Sequence, residues 1–581
     1  MISRTRHALI RGCVRTMLVA SIPEAACQEL HWYNTWEYQA QGSTSHSLRD
    51  GPLAVNALGE TYMASQLLGS IDVDPGPGTT ELSSGPGSPT SSICLSKFDQ
   101  NGTWIWTKRI GNTISKPHAI ALDPDGNVFM TGMFKGTVDF DPGPGVVNHT
   151  SAGADDIFVM KFDANGEHLW SCRFGTNEDV EGGWDLAVDA SGNAHVMVSA
   201  RGTIDVDPGP GVLPFTPAGQ LTSIIKLDAQ GALVWAKSVE LDGASYNNWH
   251  ITVDGSGNVL MTGQYSGASV DVDPGPGTTY LPHDPVRPNG VFVVKWDPQG
   301  ELLWAHGIAG AIPGHLACDA EDNVLVTGNT INDVDLDPGP GLQMHAIGNA
   351  SNTSWVLKLD PLGTHVWSKI WTTNSIVQTK DVAADQNGNV IIGGIYNAAM
   401  DLAPGPLVVP APEASSGSCS FITALDPSGA YLWSGELGAG QHDAYVEHMA
   451  IAPDNSLRIS GWFYGAMDMD PGPGTSTYTG PLTRQSTMLL SFAGTNNPTG
   501  IPTTAKNSAK LYPVPTEGPL TITHTEDIAL INISDPRGVL VSTERPGMQR
   551  ASIDISALPA GCYMVEIVGE KITEQKSIVK L

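Results

Sequence analysis

The sequence predicts an all-β protein: a seven-bladed β-propeller of four-stranded blades, its ring closed by the N-terminal strand, followed by a small Ig-like β-sandwich. Three observations carry this. An acidic Pro/Gly loop, typified by "GTVDFDPGPG" at 136–145, recurs with its first proline at 75, 142, 208, 274, 338, 404 and 471, a period of 64 to 67 residues. The copy at 398–406, "AAMDLAPGP", is worn. Seven short strands end in tryptophan, at residues 32, 106, 170, 235, 304, 367 and 433. Beyond residue 510 come short alternating strands such as "LTITHT" and "IALINIS", the pattern of a small sandwich.

One repeat can be read element by element. "HAIALD" (118–123) is a short apolar run ended by the turn "PDGN", and "VFMTGMFKGTVDFD" (128–141) reads as one long strand ended by "PGPG". "DIFVMKFD" (156–163) alternates and is closed by "ANGE", and "HLWSCRFG" (168–175) follows. Gly, Asn, Asp and Pro punctuate each strand, and no helical period appears. Four short antiparallel strands repeated at a fixed spacing define a propeller, which hides its sheet edges by radial repetition. The first tryptophan strand stands alone at the N-terminus, while the last repeat ends after "TMLLSF" (487–492) without one. The N-terminal strand is therefore expected to complete the seventh blade.

Composition bounds the function. Sixty acids against thirty bases leave a net charge of -30, which repels phosphate backbones and argues against nucleic-acid partners. No run of eighteen apolar residues exists, so no transmembrane helix is expected. The seven cysteines, at 13, 27, 94, 172, 318, 419 and 562, are scattered singly, which suits neither a disulfide framework nor a zinc site. Residues 1–27 carry Arg4, Arg6, Arg11 and Arg15 ahead of a short apolar stretch ending in small residues, the pattern of an export signal. The expected organisation is an export signal (1–27), a propeller (28–493), a polar linker (494–510) and a C-terminal domain (511–581).

Two resemblances extend this reading. The signatures "GNVxxTG" and "KxDxxGxxxW" over residues 30–493 resemble bacterial seven-bladed propeller repeat proteins of large secreted chains. The second signature also resembles the tryptophan-docking motif of quinoprotein dehydrogenases. Those usually have eight blades and a vicinal cysteine pair, and the absence of adjacent cysteines here argues against a quinone. At the C-terminus, "LYPVPTEGPLTI", "DPRGVLV", "IDISALPAGCYMVEI" and "KSIVKL" resemble the type IX secretion system (type A) sorting domain of Bacteroidota. The matching residues are Tyr512, Pro513, Pro515, Thr516, Gly518, Gly538, Asp554, Ile555, Leu558, Pro559, Gly561, Tyr563 and Lys576, with Val514 where the family usually has Asn. The resemblance implies the type IX machinery as a partner and a secreted or outer-membrane-surface location. It names an address for the cargo and no activity.

Candidate chemistry lies on one face. The loops between second and third strands gather thirteen aspartates: Asp72, Asp74, Asp139, Asp141, Asp205, Asp207, Asp271, Asp273, Asp335, Asp337, Asp401, Asp468 and Asp470. Paired carboxylates are hard-oxygen ligands, so calcium is the candidate cofactor. The competing and favoured reading has each Asp capping its own turn. A less regular set lies four residues before the turn Asp of each first strand, where blades three to seven offer Asp185, His250, His315, Asp381 and His448 near the channel mouth. Trp184 and Trp249 come one residue earlier. These are metal-ligand and acid–base residue types. A seven-bladed channel is expected to hold most of them apart, each bonded to backbone of the neighbouring blade. No Ser-His-Asp order, P-loop or HExxH motif occurs. The reading that follows is a monomeric binding or scaffold module for an extracellular glycan or protein. A carbohydrate-active hydrolase or lyase on the channel face is the alternative, and a calcium-stiffened structural protein the third option.

Overall fold

The computed structural model describes residues 30–494 and 510–580, apart from stretches of one to eight residues, the longest being 242–249. The export signal, most of the linker, Trp249, and Pro513, Pro515, Thr516, Gly518 and Gly538 of the sorting motif lie outside the described residues.

The described residues form seven antiparallel blades in chain order. In blade 2 the strands Ser115–Leu122, Val128–Phe134, Asp156–Phe162 and His168–Phe174 pair successively from the channel outwards. Blades 3 to 6 repeat this order. Blade 1 divides its inner edge into Thr44–Arg49 and Leu53–Val55, both paired with Thr61–Leu68. Blade 7 takes Ala444–Ile451, Ser456–Tyr464 and Gln485–Gly494 from the end of the array, and Leu30–Trp36 as its outer strand. The N-terminal strand thus closes the ring by hydrogen bonding.

Each of the seven seams between consecutive blades holds its own buried apolar cluster. The seam that closes the ring packs Trp36 and Leu489 of blade 7 against Met63, Leu67 and Phe98 of blade 1. This explains one departure from the sequence expectation. "DIFVMKF" was expected to alternate, yet all seven residues are buried, because a blade inside the ring is covered on both faces by its neighbours. A second departure concerns the long strand at 128–141. It stops at Phe134, Gly136 turns the chain at φ 78°, and Thr137–Asp139 starts a separate hairpin with Asn148–Thr150. A side chain at that φ would be strained.

Polar contacts lock the seams at one recurrent point. In blade 3 the backbone carbonyl of Ala229 accepts the Trp170 indole N–H at 3.1 Å and the Lys161 ammonium at 3.3 Å, both from blade 2. Pro298 O receives Trp235 and Lys226 in the same way, and Pro361 O receives Trp304 and Lys295. The indole of Trp170 lies so close over Gly231, at φ 84°, that a Cβ there would overlap it. Each lysine also pairs with a carboxylate in its own blade's inner turn: Lys161 with Asp123 at 2.9 Å, Lys295 with Asp254 at 2.7 Å and Lys358 with Asp319 at 2.8 Å. Blade 1 exchanges the turn residues, having Asn56 and Glu60 where blade 2 has Asp123 and Asn127, and Lys97 then pairs with Glu60 at 2.8 Å.

The second compact unit, Thr499–Leu581, consists of two sheets. One joins Lys510–Tyr512, Pro519–Ile528 and Met548–Asp554, and the other joins Leu540–Glu544, Leu530–Ser534, Gly561–Val568 and Thr573–Lys580. Both contribute to a single core of Leu520, Ile522, Ile531, Ile533, Ile553 and Val565.

Removing one partner of a buried pair leaves the other charge uncompensated. Lys161→Met is therefore expected to lower stability by about 3 kcal/mol, and adding Asp123→Asn should restore part of that loss in denaturant unfolding. Burial pushes the turn carboxyls up, but the turn asparagine and the lysine outweigh it, so Asp123, Asp189, Asp254 and Asp319 all lie below their ordinary pKa. A depressed carboxyl stabilises the fold above its unfolded value, near 4, and loses that contribution as pH falls through the folded value. Melting temperature should therefore drop steeply below about pH 4, and less steeply in a Lys161→Met/Lys295→Met double variant.

Candidate functional site

The aspartate loops are built as self-contained turns. In all seven, the first Asp accepts two backbone N–H groups through Oδ1. For Asp139 these come from Asp141 at 3.2 Å and Val147 at 2.8 Å. The same pair of bonds recurs at Asp72, Asp205, Asp271, Asp335, Asp401 and Asp468. The second Asp accepts the N–H of the first glycine two residues on, as Asp141 does from Gly143 at 2.7 Å; Asp74, Asp207, Asp273 and Asp337 behave alike. The worn copy is informative. It has Ala403 in place of the second Asp, and Gly405 N–H donates to Ala403 O instead, while Asp401 keeps both its bonds. The first carboxylate is what the hairpin requires. Among the described residues, no group of three or more His, Cys, Asp or Glu side chains is arranged to hold a metal ion.

The channel mouth differs. Here the structure brings together side chains that the sequence reading expected to stay apart, because neighbouring inner strands are close enough for His and Asp to reach across. His250 Nδ1 of blade 4 lies 3.3 Å from Asp185 Oδ2 of blade 3, and His315 Nδ1 of blade 5 lies 3.1 Å from Asp381 Oδ1 of blade 6. The two imidazoles face each other with centroids 3.8 Å apart, and His448 of blade 7 meets His315 edge-on at 6.5 Å. The expected backbone bonds are present as well. Asp185 accepts the N–H of Leu186 and Ile251, and Asp381 accepts those of Val382 and Met449. Each carboxylate therefore holds the next blade's inner strand and orients one histidine.

Environment separates the two rings. Burial, and then the neighbouring His315, lower the pKa of His250 despite Asp185. Burial also acts against His315, but Asp381, Asp185 and Glu447 together outweigh it, and its pKa lies above the ordinary value. Asp381 is lowered, because His315, His448 and the Met449 N–H outweigh its burial. Asp185 and Asp381 hold Nδ1 of each ring, and both histidines line a cavity of about 390 Å³. Its wall includes Asn329, Asn352, Thr379, Lys380 and Glu447.

Lys380 and Glu447 were missed from sequence, and a backbone feature explains their exposure to the mouth. The register of the inner strand slips between Pro117 and Ala119, Gly183 and Asp185, Pro313 and Leu316, Thr379 and Asp381, and Val446 and His448. A bulge re-aims the extra residue, and the residues so placed are His118, Trp184, Gly314 with His315, Lys380 and Glu447. The signal was available, because Trp184 and Trp249 belong to this same column. Trp184 stacks on His118 at 4.9 Å and 3°, and its indole remains 37% exposed.

Comparison with known proteins adds family and address. Residues 510–580 match the secretion system C-terminal sorting domain, and residues 105–133 match the β-propeller repeat. The protein is thus a propeller repeat protein carrying a type IX sorting domain, which directs export to the cell surface or beyond. An uncharacterized WD repeat-containing protein of Acanthamoeba polyphaga mimivirus is 25% identical over 370 residues, 54% of this chain and 26% of its own. The chain thus spans about a quarter of that relative's length. Among solved structures, the Dos1 propeller overlaps 80% of this chain and 96% of its own at 8% identity, with a TM-score of 0.34. An ulvan lyase overlaps 78% and 98% at 11% identity, with a TM-score of 0.37.

Four outcomes follow from the site geometry. Asp139→Ala removes two charge-assisted bonds to backbone and should cost about 1–3 kcal/mol. Since the hairpins are capped by backbone N–H groups and no cluster of three ligand side chains occurs among the described residues, millimolar calcium in place of chelator should leave the melting temperature unchanged. At the mouth, NMR titration should find His315 protonated at a pH where His250 is neutral. Asp381→Asn should bring the His315 pKa down, so that its stabilising contribution, present below its ordinary pKa, is lost at lower pH than in the parent.

Proposed function

We propose that this protein is a secreted or surface-held binding module, and that its ligand is an extracellular glycan, or the hydroxyl- and amide-rich surface of a protein, seated in the mouth of the propeller channel. The observation that carries this is the cavity of about 390 Å³ walled by histidine, lysine, glutamate, asparagine and threonine side chains drawn from blades 4 to 7. Ligand sites favour concave places where a few polar groups converge. The seven-fold loops are alike and self-satisfied, whereas the mouth is the place where the blades differ from one another. That contrast favours recognition at the mouth over a calcium-stiffened surface as the main role.

A second reading has one specific observation in its favour. Neighbouring titratable groups whose environments push their pKa values apart are suited to act as base and acid, and His250 and His315 are such a pair. That arrangement would serve a hydrolase or lyase acting on a bound glycan. New reducing ends or unsaturated products from a polysaccharide panel would establish it.

The binding reading is tested with the full chain. Ile331 is 64% exposed at the cavity edge, so Ile331→Trp fills the mouth without disturbing a core. In a glycan and surface-protein array, the parent should retain ligands that Ile331→Trp loses, at an unchanged melting temperature. Equal capture by both proteins would place binding elsewhere and sink this reading.

A further inference from the structure

We infer that the ligand of the channel mouth is a saccharide bearing a carboxylate, with the Trp184 indole under a sugar ring and Lys380, assisted by His315, on the acid group. This rests on the mouth being the binding site, and it is carried by four observations on the inner strands.

The first is non-repetition. At the seam positions the blades copy one another, as Lys97, Lys161, Lys226, Lys295 and Lys358 do. At the bulge, by contrast, blades 2, 3, 5, 6 and 7 present His118, Trp184, Gly314, Lys380 and Glu447. The seam lysine is shared by five of the seven blades, whereas no two of these bulge residues are of the same type.

The second is the distribution of filled and unfilled groups. The three carboxylates at the mouth are already engaged: Asp185 and Asp381 by two backbone N–H groups and one imidazole each, and Glu447 by the indole N–H of Trp462 at 3.1 Å. The Lys380 ammonium, in the cavity wall, makes no hydrogen bond or ion pair with any described residue. This occurs in a chain with twice as many acids as bases, where every seam lysine has its carboxylate. An unfilled cation among filled anions selects an acidic group from outside.

The third is a pair of buried polar atoms in the same wall without partners. The Thr379 hydroxyl belongs to a side chain only 4% exposed, and Asn352 Oδ1 is likewise buried. Leaving such groups unsatisfied costs stability, so the wall holds polar capacity that its own residues do not fill. The fourth is the aromatic surface. Trp184 is held flat by His118 and by its N–H bond to Ser199 Oγ at 2.5 Å. It immediately precedes Asp185, the carboxylate that holds His250 of the cavity wall.

His315 sets a pH dependence. It is faced by His250 from blade 4, Asp381 from blade 6, Asp185 from blade 3, and Glu447 and His448 from blade 7. Its positive form assists an anion, so affinity for the acid should weaken as pH rises through its titration.

Calorimetry on the full chain, with oligogalacturonate and oligoalginate against cellotetraose and xylotetraose, decides the matter. The uronates should bind and the neutral sugars bind at least tenfold more weakly. Lys380→Met should cost the uronates tenfold or more at an unchanged melting temperature, and Trp184→Ala should weaken binding without altering the acid preference. If neutral and acidic sugars bind alike, or Lys380→Met has no effect, the carboxylate assignment fails while the mouth stays a binding site that Ile331→Trp blocks. Binding of an oligoglutamate peptide but of no uronate overturns the saccharide. No binding by either class of sugar, or by the peptide, overturns this inference; ligands captured by the parent and lost by Ile331→Trp would then still uphold the mouth as a site.

Discussion

At the three seams that join blades 2, 3, 4 and 5, one backbone carbonyl in the outer turn of the later blade fixes how the two blades sit. It has two lone pairs, and the preceding blade fills both, one with a tryptophan N–H and one with a lysine ammonium. An ammonium taken this far from water needs a counter-charge, which the inner turn of the lysine's own blade supplies. Two turns and two blades are thereby tied to a single point. Apolar packing supplies most of the seam's stability, but it is non-directional, and this contact fixes how one blade sits on the next.

The consequence is visible where the ring closes. The outer strand of blade 7 comes from the N-terminus, so blade 7 has no outer turn and no such carbonyl to offer blade 6. At the corresponding position of blade 6 the lysine is replaced by Ala424, fully buried. Blade 7 in turn must reach the Gln100 carbonyl of blade 1. Trp32 does so at 3.1 Å, and Arg458, from the second strand, does so at 3.3 Å while lying over the Trp32 ring. Ser491 stands where the lysine would be and accepts a hydrogen bond from Arg458. The two blades that break the lysine pattern are those flanking the discontinuity, and each does so for a geometric reason.

The same ring carries two kinds of polar residue on one face. The loop aspartates are repeated because each hairpin needs its own cap, the first carboxylate accepting two backbone N–H groups through Oδ1. The mouth residues vary because no local backbone need dictates them. Asp185 and Asp381 belong to both groups. They accept backbone N–H groups as the loop aspartates do, and by doing so they fix the histidines that line the cavity. Two side chains thus both cap backbone and place the histidines of the cavity wall.

The sequence by itself determined the blade count, the closure by the N-terminal strand, the capping role open to the loop aspartates and the sorting domain, because each is written in local order: a period, an orphan strand, a turn motif. It also named Asp185, His250, His315, Asp381 and His448, since all share one column of the repeat. Tertiary structure decided the rest. Whether those five side chains meet depends on the spacing of inner strands more than sixty residues apart. Lys380 and Glu447 enter the mouth only because a bulge shifts each strand by one residue, and bulges arise from pairing between strands. The burial of "DIFVMKF" on both faces came from neighbouring blades that no single repeat contains.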